Sequence, residues 1–445
     1  MTSESVQSLA SMDVARSRRL AAHLRVPLHR NGYALVASTF ATSGLGFLYW
    51  AIAARRYTAD DVGVNAALIT TMMMLTNLAS LNFTDVLNRF VPVSGRRTVR
   101  LVLGSYAVAL VLGGVSTTVF VVGFALHFWG HSFADVLHGP QLGVVFVVAT
   151  MLWIIFVLQD AVLVGLRRAS YVLVENGLYG VAKIVMLIAL AAVAPRTGIF
   201  LSWSAPLFVV VVAVNVIIFG RLLPEHAKDL VGAGEEVPRQ HVTRFLAADY
   251  VASMLWTATI GLLPVLVLAT EGKRASAYVY IPWTICYTLY LVSRNMGMSL
   301  TTEGARDPAR LAEHTRATLL SAGRIVVPGA LVLFVGAPWI LRYGFGAAYS
   351  VHATTLMRLL ALSTIPALVP LTFVSVARVQ RRLVAMMVVS AASTVPVLVL
   401  TPILLHTSGI AGAGIAWLLV QSVVALVLLV GEQRPYVGVR VSSVR

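Results

Sequence analysis

The feature that most constrains this chain is a series of apolar segments, each about 20 residues long, that continues almost from end to end. A helix of about 20 apolar residues crosses a hydrocarbon core roughly 30 Å thick. Of all residues, 58% are hydrophobic and only 12% are charged, too few to cover a water-soluble chain of 445 residues. The sequence therefore predicts an all-α integral membrane protein. It excludes a disulfide scaffold, because Cys286 is the single cysteine.

About twelve transmembrane helices are predicted, over 31–53, 62–81, 101–126, 143–165, 171–194, 199–220, 245–269, 275–298, 320–341, 354–377, 383–405 and 410–431. They divide into two pseudo-symmetric six-helix bundles. The expected domains are a basic amphipathic tail (1–30), an N-terminal bundle (31–220), a linker (221–244), a C-terminal bundle (245–431) and a second tail (432–445).

The net charge of +16 reflects membrane topology and does not indicate a nucleic-acid partner. The two tails and the loops on one side of the membrane carry about 24 Lys and Arg, whereas the opposite loops carry about six. By the positive-inside rule both termini are predicted to be cytoplasmic. The preponderance of arginine over lysine fits a GC-rich bacterial genome, so we expect a multi-pass protein of the bacterial inner (plasma) membrane.

The sequence also indicates an internal duplication. The predicted first and seventh helices begin near Asn31 and Phe245, and the same interval separates the basic turn Arg167-Arg168 from its match, Arg381-Arg382. Six helices per half make the repeat parallel, related by an axis along the membrane normal. Such repeats are typical of alternating-access transporters.

Four segments, in this order, resemble those of a known family. They are the linker Ala54–Gly63 before the second helix, the stretch Ser299–Pro308 after the eighth, the segment Phe345-Gly346-Ala347-Ala348-Tyr349, and the small-residue run Gly409–Gly414 that opens the twelfth. With the twelve-helix frame, they are similar to the polysaccharide-biosynthesis flippases, the oligosaccharide-lipid exporters of the multidrug/oligosaccharidyl-lipid/polysaccharide (MOP) superfamily. The first predicted helix has no charge between Asn31 and Ala53, unlike that of the lipid II flippases, so a peptidoglycan role is not expected.

The resemblance implies a V-shaped exporter that moves a polyprenyl-pyrophosphate-linked oligosaccharide to the outer leaflet, without enzymatic activity. Its expected partners are this lipid-linked glycan, membrane lipids and the polymerase and glycosyltransferases of the same pathway. Two alternatives stay open. One is an ion-coupled drug/cation antiporter of the same superfamily. The other is a membrane-embedded glycosyltransferase or polymerase; Asp60 and Asp61 would resemble the catalytic acids of such enzymes.

Charges within apolar spans are costly, so each is a candidate for function. Lys183 and Arg294 are candidates for binding the substrate phosphate, and Asp160, Glu175 and Asp249 for ion coupling. The structural alternatives are a Lys183–acid pair and an Asp249–Arg294 pair. Snorkelling of their side chains to the membrane surface explains Arg324 and Arg358, which lie closer to a membrane face.

Further substrate-binding candidates are polar or aromatic residues. Arg89 lies in a cytoplasmic loop, and Asn65 and Asn77 lie twelve residues apart in the second span, where hydrogen bonds between helices are the alternative. An aromatic stripe on the eighth span could stack on sugar rings, with ordinary helix packing as the alternative; it comprises Tyr280, Trp283, Tyr287 and Tyr290. Tyr49 and Trp50, at the outer end of the first span, are expected to be aromatic-belt residues.

No cofactor or metal is expected. His127, His131 and Asp135 have helical spacing, but glycine and aromatic residues between them favour an interfacial segment. The sequence has no phosphate-binding glycine-rich loop followed by Lys-Ser/Thr, so energy is expected from an ion gradient, the membrane potential or consumption of product.

Overall fold

The computed structural model describes residues 27–94, 97–125, 140–229 and 239–431. Throughout these ranges the chain is helical and contains no strand. The helices are α1 (Pro27–Arg56), α2 (Ala59–Ala79), α3 (Phe83–Phe90), α4 (Thr98–Ala125), α5 (Pro140–Gly165), α6 (Ala169–Val193), α7 (Gly198–Ile217), α8 (Leu223–Asp229), α9 (Arg239–Glu271), α10 (Lys273–Arg306), α11 (Leu311–Phe345), α12 (Ala347–Val379), α13 (Leu383–Ser408) and α14 (Ala411–Val430).

Twelve long helices match the twelve predicted spans, and α3 and α8 are short connecting helices. Ten of the twelve are long and apolar enough to cross a membrane, judged on the described residues. The other two are α1 and α10, which reach 30 and 34 residues. Helix α10 is less apolar because its interior carries four residues of the aromatic stripe together with Arg294 and Asn295.

Two predicted connections are more ordered than expected. Helix α10 continues through Arg306 into the predicted loop 299–319, and α11 begins at Leu311. Leu300 and Leu311 pack with Val376, so an apolar cluster keeps this connection helical. In the predicted loop 82–100, α3 buries Leu87 beside Gly165 at the end of α5.

The duplication is visible in the backbone. Helix α5 ends at Gly165, and its equivalent α12 ends at Val379. The next helices, α6 and α13, begin at Ala169 and Leu383. In both cases the two equivalent positions are separated by the interval of the sequence repeat. Each turn has one left-handed arginine, Arg167 at φ 59° and Arg381 at φ 56°. A left-handed non-glycine residue is uncommon, so its recurrence at equivalent positions confirms two pseudo-symmetric halves.

We name the two ends of the helical bundle by these turns. The inner face carries Arg167, Arg381, the start of α1 and the end of α14, and it is the side predicted to be cytoplasmic. The outer face carries the turns at Thr58, Arg196, Gly272 and Gly409.

Helix α2 lies between the halves. Every residue from Val62 to Met72 is buried, because this outer part of α2 packs on α5 and α7 of its own half and on α9 and α10 of the other. Gly63 permits the closest approach: a Cβ there would overlap the carbonyl oxygen of Lys273 and lie 2.9 Å from the backbone nitrogen of Ala277. The halves are therefore in close contact at the outer face.

Toward the inner face α2 keeps a contact with α9, where the Tyr250 hydroxyl donates to the carbonyl oxygen of Leu78, whereas α10 becomes exposed. Asn295 follows Ala277 by five helical turns on α10, so both residues share one side of the helix. Ala277 is fully buried against α2, whereas Asn295 and Met298 are exposed. On α2, Asn77 near the inner end is also exposed. The close packing at the outer face and the exposure of α10 toward the inner face favour an inward-facing state.

Candidate functional site

Lys183, the most deeply placed predicted charge, lies in a cage of aromatic rings inside the first half. Its side chain is only 7% exposed. Its Nζ lies 3.8 Å from the ring centroid of Trp203, 5.1 Å from that of Tyr179 and 5.2 Å from that of Tyr49. A lysine ammonium is attracted to the negative face of such rings. The cage therefore holds a cation in an otherwise apolar interior.

Hydrogen bonds fix the cage. The Tyr49 hydroxyl donates to the carbonyl oxygen of Ile199 at 2.8 Å, and the Tyr179 hydroxyl donates to that of Trp203 at 2.8 Å. The three rings come from α1, α6 and α7, so these bonds tie the first helix to the last two of the half. The cage is thus held by backbone contacts that do not depend on Lys183.

The cage contains two donors without a polar partner. No described carboxylate is within ion-pair distance of Lys183, so the predicted Lys183–acid pair is wrong. The Nε1 of Trp203 is also buried without a hydrogen-bond partner. Buried donors ordinarily have acceptors, so two unpaired donors in one cage mark a place where an acceptor from outside the protein would be stabilised.

Asp160 and Glu175 instead lie near each other across the hairpin formed by α5 and α6. Each lies about seven residues from the Arg167-Arg168 turn, on opposite arms, and each accepts a hydrogen bond from the amide side chain that is next to the other acid in the sequence. The hairpin therefore places two carboxyl groups close together inside the membrane domain.

Amide side chains surround this pair. Gln159 Nε2 donates to Glu175 Oε1 at 3.4 Å, and Asn176 Nδ2 donates to Asp160 Oδ2 at 3.2 Å. Asn215 on α7 donates to Gln159 Oε1 at 2.6 Å. One oxygen, Glu175 Oε2, is buried without a partner in this amide network. Such a site can gain or lose a proton while its amide partners stay in place.

The predicted aromatic stripe on α10 forms packing contacts. Trp283 lies 4.3 Å from Trp417 between ring centroids, and the Trp417 Nε1 donates to the Tyr290 hydroxyl at 2.7 Å. Tyr280 packs on Trp50 of the first half at 4.6 Å. Tyr287 is partly buried and lies 5.9 Å from Trp283. These contacts favour the helix-packing interpretation over stacking on sugar.

Asn65 and Asn77, the two polar candidates on α2, differ in burial and in hydrogen bonding. Asn65 is fully buried; its amide donates to the carbonyls of Asp61 and Arg196 and accepts from the backbone nitrogen of Phe200. It joins α2 to the start of α7, which uses both of its amide hydrogens and leaves no donor for a ligand. Asn77 is exposed near the inner end of α2 and donates to the carbonyl of Met73 at 2.9 Å.

The remaining candidates lie toward the inner face. Arg294 is exposed on α10, four turns beyond Tyr280 and within about 40° of it on the helix, so it faces the first half. The backbones of Arg89 and Asp249 lie in α3 and α9, but their side chains are outside the described residues. The predicted Asp249–Arg294 pair is therefore outside them as well, as is the segment with His127, His131 and Asp135. No described group of His, Cys, Asp and Glu side chains could hold a metal ion.

Polar contacts join the halves at the outer face. Arg274 Nε and Nη2 donate to the two carboxylate oxygens of Asp60 at 3.2 Å and 3.4 Å. These two residues occupy equivalent positions in the repeat, so the pair spans the pseudo-symmetry axis. Arg55 donates to the carbonyls of Tyr343 and Gly344, which adds a second bridge. Asp60 therefore contacts the second half at the outer face.

The site residues that the sequence did not reveal are Tyr49, Tyr179, Trp203, Gln159 and Asn215. Tyr49 and Trp50 were expected at the lipid interface, but they are 0% and 3% exposed within the core. The repeat contains a signal for Trp203, because Trp417 is its equivalent in the second half. Nothing in the sequence indicates that Gln159 would contact Glu175.

Comparisons with protein-family models and with curated proteins give no match. Solved structures do match along nearly the whole chain. The multidrug transporter DinF-BH of the MATE family aligns with a TM-score of 0.62 at 12% identity, over 93% of this chain and 97% of that one. An inward-facing multidrug resistance MATE transporter of the MOP superfamily gives 0.59 at 13% identity, over 93% and 97%.

A third match is a MOP superfamily transporter from Pyrococcus furiosus Vc1 (DSM3638), for which reverse polarity of the binding pocket suggests a different function. It aligns with a TM-score of 0.53 at 13% identity, over 93% of this chain and 95% of that one. Likeness at this level of identity establishes the fold, which is that of the MATE transporters of the MOP superfamily.

Proposed function

We propose that this protein is an alternating-access transporter, without enzymatic activity, that carries an anionic amphiphile across the membrane. The fold and the inward-facing arrangement of the two halves support transport. The observation that supports an anionic substrate is the environment of Lys183. This buried cation has aromatic partners and no described carboxylate beside it. An uncompensated buried cation repels a cationic substrate and attracts an anionic one.

Polyprenyl-pyrophosphate-linked oligosaccharide is the member of this substrate class that the sequence resemblance favours. Its pyrophosphate would enter past Arg294 at the inner face and reach the cage of Lys183. Its prenyl tail would stay in lipid, since the outward surfaces of the helices are apolar. In this proposal the protein lies in a bacterial inner membrane with both termini cytoplasmic, beside the enzymes that assemble and polymerise the glycan.

The second candidate is a drug or cation antiporter of the same superfamily. The specific observation that favours it is the fold, since two of the three solved structures described above are multidrug transporters. In that case the Asp160–Glu175 pair would bind a proton and a cation in turn. Lys183, two helical turns from Glu175 on α6, would oppose the cation.

Transport assays in proteoliposomes separate the two candidates. One assay follows the exposure of a fluorescent polyprenyl-pyrophosphate oligosaccharide to an external glycosidase, and the other follows uptake of the cationic dye rhodamine 6G. We expect protein-dependent exposure of the lipid-linked sugar and its loss in Lys183→Gln. The matched control is Arg324→Gln, which removes an exposed cation on α11 and should transport normally. Uptake of the dye without exposure of the sugar would establish the antiporter instead.

A further inference from the structure

The outer end of α11 belongs to the second half but is held by the first helix. The last carbonyl oxygens of a helix have no partner within that helix. Arg55, at the end of α1, donates to two of them in α11, from Nε to Gly344 at 3.2 Å and from Nη2 to Tyr343. A ring contact accompanies these bonds, since Phe345 lies 5.3 Å from Phe47 of α1 between centroids. Helix α1 therefore holds the outer end of α11 by polar and aromatic contacts.

This outer end is the segment Pro338–Phe345, and a residue that interrupts a regular helix lies at each of its boundaries. Pro338 has no backbone N–H, so the carbonyl of Phe334, one turn earlier, lacks its helical donor. Gly346 follows the segment at φ 115° and ψ 164°, a conformation that residues with a side chain rarely adopt. A change of direction at these boundaries would leave the rest of α11 in place.

Arg358 on α12 supplies the donor that Pro338 removes. Its Nε lies 3.1 Å from the carbonyl oxygen of Phe334, and its guanidinium carbon lies 5.4 Å from the centroid of the Phe334 ring. This charge is expected from the sequence to snorkel to the membrane surface, whereas the structure directs it to the backbone of a neighbouring helix. The Ser350 hydroxyl, also on α12, donates to the carbonyl oxygen of Pro338 at 3.0 Å. Two side chains of α12 therefore fix α11 at its proline.

We propose that Pro338–Phe345 is a latch of the outer face, hinged at Pro338, and that Arg358 is the positioning residue that holds the hinge in its closed geometry. Opening of the outer face then requires the latch to leave α1, and the bond from Arg358 to Phe334 opposes the change of direction at Pro338. This inference rests on the alternating-access part of the proposed function and adds the element that moves. It does not depend on the charge or identity of the substrate.

The reporter for the latch is Leu341→Cys in a Cys286→Ala background, since Cys286 is the single native cysteine. Leu341 lies within the latch, one turn before Phe345 on the same side of the helix, and it is fully buried. A membrane-impermeant maleimide applied from outside reaches this cysteine only when the latch is open. The labelling rate therefore measures opening, and the measurement needs no substrate.

Arg358→Met is the first variant, because it removes the donor and keeps a long side chain. Loss of a hydrogen bond from a charged donor should speed labelling at least about tenfold relative to the parent. Pro338→Ala restores the N–H that the Phe334 carbonyl lacks, and it should label more slowly than the parent. In the Pro338→Ala background, Arg358→Met should change the rate by less than about twofold, because the carbonyl no longer needs the arginine.

Pro328→Ala is the matched control, since Pro328 also lies inside α11 but nearer the inner face. In this background Arg358→Met should keep its full effect on labelling. Thermal unfolding of every variant, measured in parallel, separates opening of the latch from general loss of stability. Should Arg358→Met fail to fold, Pro338→Ala alone decides: slower labelling than in the parent supports the hinge, and an equal or faster rate overturns it.

The remaining outcomes separate the latch from the proposed function. Labelling of Arg358→Met at the rate of the parent, with normal transport of the lipid-linked sugar, overturns the latch and leaves the proposed function standing. An equal acceleration by Arg358→Met in the parent and in the Pro338→Ala background overturns the role of Arg358 at the hinge. Absence of both labelling and transport in every folded variant, including the parent, overturns alternating access and the latch with it.

Discussion

The two halves of the molecule share a backbone plan but differ in chemistry. Trp203 and Trp417 are equivalent in the repeat, and both are buried, at 6% and 0% exposed. Trp203 faces the Lys183 ammonium and has an unpaired Nε1, whereas the Nε1 of Trp417 donates to Tyr290. Asp160, Glu175 and Lys183 correspond to three valines of the second half, namely Val374, Val389 and Val397.

This difference indicates a division of roles after duplication. Around Trp417 the second half is closed by aromatic packing and hydrogen bonds, which makes this part a well-packed body against which the first half can move. The first half retains a buried lysine without an ion-pair partner and two carboxyl groups at membrane depth, which cost stability and are expected only where they serve function. The predictions below test that division, beginning with the residue for which we expect the largest effect.

Replacing Lys183 with Met removes the charge and keeps a side chain of similar length. We expect transport of the anionic substrate to fall by more than about 100-fold. The melting temperature of the purified protein should stay the same or rise, because a charge in the membrane interior costs about 2.5–3.5 kcal/mol on insertion scales. Transport rates and thermal unfolding of the same preparation check both expectations.

The equivalent position provides the control. Val397→Met alters the packing of the second half at a fully buried site, so it should lower the melting temperature with a smaller loss of transport. If Lys183→Met unfolds the protein more than Val397→Met does, the lysine has a structural role and the division between the halves is wrong.

Gly63 tests the contact between the halves. A side chain at this position overlaps the backbone of α10, so Gly63→Leu should prevent the outer face from closing. The reporter is Ser276→Cys in a Cys286→Ala background, because Ser276 is fully buried at this contact and Cys286 is the single native cysteine. We expect labelling from outside by a membrane-impermeant maleimide to become at least about tenfold faster.

Gly44 is the matched control for this experiment, since it lies on α1 with no neighbouring atom near the position of an added side chain. Gly44→Leu should leave the labelling rate unchanged. Equal labelling in Gly63→Leu and in the parent would mean that the outer contact is not the closed gate of an inward-facing state.

Tyr290→Phe tests the hydrogen-bonded packing around Trp417 in the second half. It removes the acceptor of the Trp417 Nε1 and leaves that donor buried and unpaired. The expected loss of stability is about 1–3 kcal/mol. Tyr287→Phe, on the same stripe of α10 but partly exposed, should cost less than half as much, as measured by chemical denaturation in detergent. Equal losses of stability in the two variants would mean that the effect comes from any hydroxyl of the aromatic stripe and not from the hydrogen bond to Trp417.

The sequence predicted the frame of the molecule far better than the contents of its site. The apolar blocks, the Arg167/Arg381 turns and the offset between them depend on local length, polarity and spacing, so twelve helices in two halves were predictable. The hairpin geometry also placed Asp160 and Glu175 at one depth. Whether they face each other depends on helix rotation, which apolar blocks that are hydrophobic on all sides do not specify.

Lys183 and Tyr49 also show that the sequence does not specify which side chains meet between helices. A lysine within a span predicts an acidic partner. The partners of Lys183 are instead aromatic rings, two from other helices and one from α6, the helix that carries the lysine. Tyr49 has the position of a belt residue in the sequence, yet α1 packs against α6 and turns it inward. Residues brought together from distant segments are set by packing between helices, and one sequence does not specify that packing.

The smallest expected effect concerns the Asp60–Arg274 pair, which spans the pseudo-symmetry axis. Its side chains are 45% and 67% exposed, so solvent and salt screen the attraction, and exposed pairs contribute at most about 1 kcal/mol. Asp60→Asn and Arg274→Gln should each speed labelling of the Ser276→Cys reporter by no more than about fivefold, and less at high salt. The double variant should match either single one, because both remove the same contact. A tenfold or larger effect that salt does not reduce would show that this pair, rather than the close contact at Gly63, holds the outer face closed.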